Sequence, residues 1–323
     1  MKKSSWLFAQ IILLLAACAV PAPRATSPVE VPFNPGVTEA APIVTETAEP
    51  TDTVGPTATD EIPILFAVIG DYGQAEQPVF AVAEMIDSWH VDFIVTTGDN
   101  NYPDGEASTI DENVGQYFHR YIGNYQGDYN RGSETNRFFP SLGNHDWSLG
   151  SIDPYLDYFA LPGNERYYDV AWPPVHLFIL DSDPNEPDGV GVSSVQAGWL
   201  KAGLANSTET WNIVVMHHPP YSSGLHGSSD WMQWPFKEWG ADLILSGHDH
   251  LYERLEVDGL LYFTNGLGGH AAIYDFYDIL RESQFRYNEN WGAMRVTATS
   301  QSITLEFINI EGEVIDSVTL NAE

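Results

Sequence analysis

Residues 64–73 read Ile-Leu-Phe-Ala-Val-Ile-Gly-Asp-Tyr-Gly, and residues 93–102 read Phe-Ile-Val-Thr-Thr-Gly-Asp-Asn-Asn-Tyr. In each, a short apolar run stops at Gly-Asp, the pattern of a buried strand closed by a turn. Between them, Pro78 to Trp89 carries apolar residues at helical spacing. Working outward, further strands are predicted at Val175 to Leu180, Ile213 to Met216 and Leu243 to Leu245. Helical stretches are predicted at Val195 to Leu204 and Trp231 to Trp239. The tail from Met294 to Leu320 reads as alternating strands with turns at Ser300 and Glu311-Gly312. Strands alternating with helices, finished by a β-rich segment, define an α/β core.

Polar motifs follow the strands in order: Gly70-Asp71-Tyr72-Gly73, Gly98-Asp99-Asn100-Asn101-Tyr102, Gly143-Asn144-His145-Asp146, His217-His218-Pro219-Pro220-Tyr221 and Gly247-His248-Asp249-His250. Each sits at or just past the carboxyl end of a strand, the edge where open α/β sheets build their sites. Carboxylates, imidazoles, an amide carbonyl and a phenol are mixed hard and borderline donors. They suit iron, zinc or manganese better than a thiolate-seeking ion. His248 and His250, two residues apart, read as sharing one strand face.

The order and content of these motifs resemble the calcineurin-like metallophosphoesterases, over roughly Ile62 to Leu267. That family places a His two residues after the first Asp; this chain has Gly73 there and gains Tyr102, three residues after Asp99. The combination resembles the purple acid phosphatase branch, in which a Tyr binds Fe(III). The resemblance implies a four-layer αββα sandwich, two mixed β-sheets flanked by helices. It implies two metal ions, Fe(III) plus a divalent Fe, Zn or Mn. Asp71, Tyr102 and His250 would bind the first, Asn144, His217 and His248 the second, and Asp99 would bridge them. Within the His pair, His217 fits the branch's pattern with Pro219 and Tyr221, and His218 is the alternative donor. His145 would face the substrate's phosphate and leaving group. Asp146 would orient His145 or cap a turn, and His226 is similar to a second substrate-pocket His. The implied reaction is hydrolysis of a small phosphoric monoester, an acid phosphatase activity, with a metal-bound hydroxide as nucleophile. A phosphodiesterase or nucleotidase would use the same site, and a surface lipoprotein that binds metal without turnover is the reading from another class.

The other residues read as structural. Asn265-Gly266-Leu267-Gly268-Gly269 lacks the Lys of a phosphate loop and reads as a tight turn near the site. Tyr252-Glu253-Arg254 is expected to pair locally, and Trp147, Trp199, Trp211 and Trp291 to pack. His90, His119, His176 and His270 belong to no motif. No Gly-x-Ser-x-Gly nucleophile elbow is present.

The chain of 323 residues carries 45 Asp and Glu against 13 Lys and Arg, a formal charge of −32. A field of that sign argues against nucleic acid as a partner. Lys2 and Lys3 followed by the apolar Trp6 to Ala17 read as an export signal, residues 1–17. It closes on Leu15-Ala16-Ala17-Cys18, which resembles a bacterial lipobox, with an ordinary secretory signal as the alternative. Cys18 is the single cysteine, so no intramolecular disulfide forms. Lipidation there would anchor the chain to the cell envelope, its membrane contact running through Cys18 only. Residues 18–60, rich in Pro, Thr and Glu, read as a disordered tether, and 61–323 as the catalytic domain.

Overall fold

The computed structural model describes residues 61–322; the expected export signal, Cys18 and the tether lie outside the described residues. Among the described residues, thirteen strands form two mixed sheets. In the first, β1 (Ile64–Ile69) lies between β2 (Phe93–Thr96) and β11 (Gly292–Ala298). The sheet continues through β3 (Phe138–Pro140) on one side and through β12 (Ser302–Asn309) and β13 (Val314–Asn321) on the other. β1, β2 and β3 are parallel, and β11 to β13 extend the sheet antiparallel. The second sheet runs β10 (Ser283–Tyr287), β8 (Tyr252–Val257), β9 (Leu260–Asn265), β7 (Leu243–Ser246), β6 (Trp211–Val215), β5 (Val175–Ile179), β4 (Tyr168–Trp172). Its middle, β5, β6, β7 and β9, is parallel.

Alternation within the strands builds three apolar layers. Phe66, Val68, Phe93 and Val95 point from the first sheet toward Leu177, Ile213, Val215 and Phe263 of the second. The residues between them turn outward: Ala67, Ile69 and Ile94 meet Val79, Val82, Ala83 and Ile86 of α1 (Gln77–Trp89). Those four helical positions fall on one face. Short helices α2 (Gln116–Phe118) and α3 (Asp153–Tyr158) lie on the same layer through Tyr117, Phe118 and Tyr155. On the far side, Phe178, Val214 and Ile244 pack on Ala197, Leu200 and Leu204 of α4 (Val195–Asn206) and on Phe236 of α5 (Phe236–Trp239). This is the expected helix–sheet–sheet–helix sandwich. The starts and stops are chemical. Pro78 opens α1, His90 closes it at φ 56°, and the Ser194 side chain accepts from the Ala197 amide at 3.0 Å to cap α4.

Three expectations are corrected. Trp231 to Trp239 is not one helix: a 3₁₀ turn at Asp230–Met232 is separated from α5 by Pro235, which has no amide hydrogen to continue a helix. His248 and His250 lie in the turn after β7, with His248 at φ 72°, not on a strand. Tyr252-Glu253-Arg254 pairs at long range. The Arg254 guanidinium meets Asp316 at 2.7 Å, and the Tyr252 hydroxyl donates to the same carboxylate, so β8 is tied to β13 of the other sheet. Among the described residues, no helix is long and apolar enough to cross a membrane.

Candidate metal centre

Strand ends from both sheets converge here. Asp71 follows β1, Asp99 follows β2, Asn144 follows β3, His217 follows β6, and His248 and His250 follow β7. Glycine permits the approach: a Cβ on Gly70 would lie 1.9 Å from Thr97 Oγ1, and one on Gly143 would lie 2.2 Å from Asp99 Oδ1. Asp71, Asp99 and His248 adopt φ of 55°, 54° and 72°. Each such residue costs about 1–3 kcal/mol and persists only where its surroundings fix it. Here they do. The Asp71 amide donates to Gly98 O at 3.1 Å, Asp71 O accepts from the His270 amide at 2.9 Å, and Asp71 Oδ2 accepts from the His248 amide at 2.9 Å.

The donor atoms fall into two sets that share one residue. The Tyr102 hydroxyl lies 2.8 Å from Asp99 Oδ2, 3.3 Å from Asp71 Oδ1 and 3.3 Å from His250 Nε2. His250 Nε2 is 3.4 Å from Asp71 Oδ1. On the other side, His217 Nε2 lies 3.5 Å from Asp99 Oδ1, 3.0 Å from Asn144 Oδ1 and 3.1 Å from His248 Nδ1. Asp99 therefore turns one carboxylate oxygen to each set. Two imidazoles are held in the donor form, because His217 Nδ1 donates to Thr97 O at 2.8 Å and His250 Nδ1 to Ala272 O at 2.9 Å. That arrangement leaves Nε2 of each ring free to bind a cation. His218 does not enter the cluster: its Nδ1 pairs with Ser182 Oγ at 3.0 Å.

Charge asks for a cation at this place. Asp71, Asp99 and His217 have ligand atoms close enough together to hold a metal ion, and all three are buried. Burial pushes Asp71 up to about 7, with His217 pulling against it and Asp99 adding to it. Burial also opposes ionisation of Asp99, but the His217 and His145 imidazoles outweigh it and hold that carboxyl below its ordinary range. Burial and the two carboxylates push the Tyr102 phenol well up. Burial and the crowding of His217 and His218 pull His248 well down. Electron-pair donors are thus pressed together with no Lys or Arg bonded to them among the described residues, which fits metal ions. Protons and cations compete for these donors. In metal-free protein, competition from the Asp71 proton is expected to end above about pH 7. Below it, affinity should fall by about tenfold per pH unit for each proton displaced, as Asp71 takes up its proton. Calorimetric Zn²⁺ titrations at a series of pH values would show this slope; a flat response between pH 5 and 8 would refute it.

His145 is half-buried beside the cluster. Its amide donates to Asp99 Oδ1 at 2.9 Å, its ring lies 4.3 Å from that of Tyr102, and its Nδ1 donates to Pro103 O at 2.5 Å. Asp146 does not orient this ring. Its Oδ2 accepts from the Gly143 amide and from the Asn100 amide and side chain, so it braces the turn. His226 is exposed, with its ring 4.4 Å from that of His248.

Three neighbours went unread in the sequence. Tyr274 stacks on His250 at 4.2 Å, and His270 packs against His250 at 4.2 Å and Tyr102 at 4.7 Å. Asp249, fully buried between the two His, accepts from Ser222 Oγ at 2.6 Å and from the His226 amide at 2.9 Å. It ties the loop carrying His226 to the loop carrying His248. Asp249→Ala leaves both donors unpaired at about 1–3 kcal/mol each, so thermal unfolding should shift down by several degrees. Asp249→Asn, which can pair with both, should recover most of it. Equal melting of all three proteins would contradict this role.

A buried carboxylate–imidazole cluster at the strand ends of a two-sheet sandwich defines a metal-dependent phosphoesterase. The chain belongs to the calcineurin-like phosphoesterase family, whose profile matches residues 64–252. It is 28% identical over 290 residues to purple acid phosphatase 17 of Arabidopsis thaliana, covering 78% of this chain and 82% of that one. It is 24% identical over 237 residues to the Fe(3+)-Zn(2+) purple acid phosphatase 12 of the same plant, covering 66% of this chain and 48% of that one. The fold is similar to that of purple acid phosphatase PPD1 from yellow lupin, with a TM-score of 0.66 and 20% identity over 80% of this chain and 54% of that one.

Proposed function

We propose that the chain hydrolyses phosphoric monoesters at a dinuclear metal centre. The observation that carries this reading is Asp99, with Oδ2 against one donor set and Oδ1 against the other. Asp71, Tyr102 and His250 would hold the first ion, Asn144, His217 and His248 the second, with Asp99 between them. When bound, such ions supply Lewis-acid polarisation of phosphoryl oxygens and lower the pKa of water.

The chain's own residues do the rest. Thr97 O and Ala272 O fix the tautomers of His217 and His250. With Nδ1 of His145 committed to Pro103, Nε2 is the nitrogen available to a phosphoryl oxygen or to the departing alkoxide. His226, on the loop held by Asp249 and with its ring 4.4 Å from that of His248, would flank a bound phosphate from that side. Tyr102 is the candidate Fe(III) ligand. Iron-loaded protein should absorb in the visible, and Tyr102→Phe should lose that band while keeping its fold. The expected lipid anchor at Cys18 would place the reaction outside the cytoplasm.

The direct assay compares p-nitrophenyl phosphate with bis-p-nitrophenyl phosphate. Faster turnover of the monoester is expected; preference for the diester would replace this reading with a phosphodiesterase.

A further inference from the structure

We infer that this centre selects singly phosphorylated esters whose alcohol part is flat and uncharged, and disfavours polyphosphorylated ones. The inference rests on the monoester reading above and narrows its substrate class.

Rings and apolar side chains stand on the His226 and His248 side of the candidate centre. The Trp231 indole is 40% exposed, with its ring 5.7 Å from that of His218, which in turn lies 4.5 Å from His248. On the same loop Leu225 is 47% exposed and adjoins the exposed His226. Across the cluster, Tyr274 lies 5.6 Å from His226. Indole and phenol faces offer an aryl group stacking area that a small alkyl alcohol does not use. Leu225 and Trp231 are two of the large apolar side chains left exposed on the described surface, Leu225 next to His226 in sequence and Trp231 against His218.

The charges are arranged to match. Of the 13 Lys and Arg, Lys2, Lys3 and Arg24 precede the described residues. The remaining ten are engaged elsewhere. Arg120 pairs with Asp87, Arg166 with Glu186 and Asp188, Arg254 with Asp316, and Arg295 with Glu306. Among the described residues, none is hydrogen-bonded or ion-paired to a cluster or rim residue. A second or third phosphate would therefore find no fixed cation outside the donor cluster. It would also approach against the field of 45 acidic residues. Repulsion grows with substrate charge, so a polyanion is disfavoured more than a monoester.

The metal-loaded full chain tests this with 2-naphthyl phosphate, glycerol 2-phosphate and inorganic triphosphate. Each is assayed at about 10 mM and about 100 mM salt, between which the screening length falls from roughly 30 Å to about 10 Å. At low salt kcat/KM for naphthyl phosphate should exceed that for triphosphate by at least about tenfold, and the ratio should narrow as salt rises. Trp231→Ala should raise KM for naphthyl phosphate about three- to tenfold and leave glycerol phosphate unchanged. Trp231→Phe, which keeps a ring but loses the indole bond to Ser182 O, should retain most of the preference. Triphosphate turned over as well as naphthyl phosphate at low salt, or both esters shifting together in Trp231→Ala, overturns the inference while monoester hydrolysis stands. Absence of turnover on every monoester overturns the reading beneath it as well.

Discussion

Replacing Asp99 by asparagine is expected to strip metal from both donor sets and to lower kcat/KM on p-nitrophenyl phosphate by about 10³-fold or more. Bound metal ions contribute several kcal/mol to a phosphoryl transition state, and each 1.36 kcal/mol is tenfold in rate. Asparagine keeps the size of the side chain but carries one oxygen instead of two. Its amide nitrogen must face either the Tyr102 hydroxyl or the His145 amide, each of which now donates to a carboxylate oxygen. The fold should survive, since the sheets pack through other residues. Metal content, a thermal melt and kinetics on one preparation separate the possibilities. A folded variant with near-normal turnover would sink the bridging role.

His145→Ala should behave differently. It removes no proposed ligand, and the backbone amide that reaches Asp99 Oδ1 remains. Metal content should stay near wild type, while kcat on an alkyl phosphate falls by about 10²–10⁴-fold, the range of a positioned proton donor. p-Nitrophenyl phosphate, whose leaving group needs no proton, should lose much less. Equal losses on both substrates would mean that His145 binds phosphate without serving the leaving oxygen.

The parts of this site legible in the sequence share one property, in that each is local. Asp71 and Asp99 close apolar runs that end in glycine, Asn144 also follows a glycine, and His217 follows an apolar run directly. The four-layer fold came from the family resemblance, since strand order within a sheet leaves no mark on spacing. Strands β3, β4, β8, β9 and β10 were missed. The first is three residues ending in Pro140, and the second, Tyr168–Trp172, alternates too briefly to stand out. Tyr274 and His270 were unreadable for a different reason. They reach His250 only because the segment after β9 folds back over the donor cluster, where the His250 carbonyl accepts from the Tyr274 amide. Asp249 stands between two candidate ligands in sequence, yet its carboxylate holds the neighbouring loop. Arg254 was expected to pair nearby, and its partner Asp316 is 62 residues away. Gly268 belongs to the same class: its amide donates to Gly70 O at 2.9 Å, so the expected tight turn is packed directly behind Asp71.

The central claim, two ions shared through Asp99, is tested most directly by titrating metal back into stripped protein while following activity on p-nitrophenyl phosphate. The account predicts that turnover is absent without metal and reaches its plateau at two equivalents per chain, with the same endpoint by elemental analysis. A plateau at one equivalent, or turnover by the metal-free chain, would contradict it.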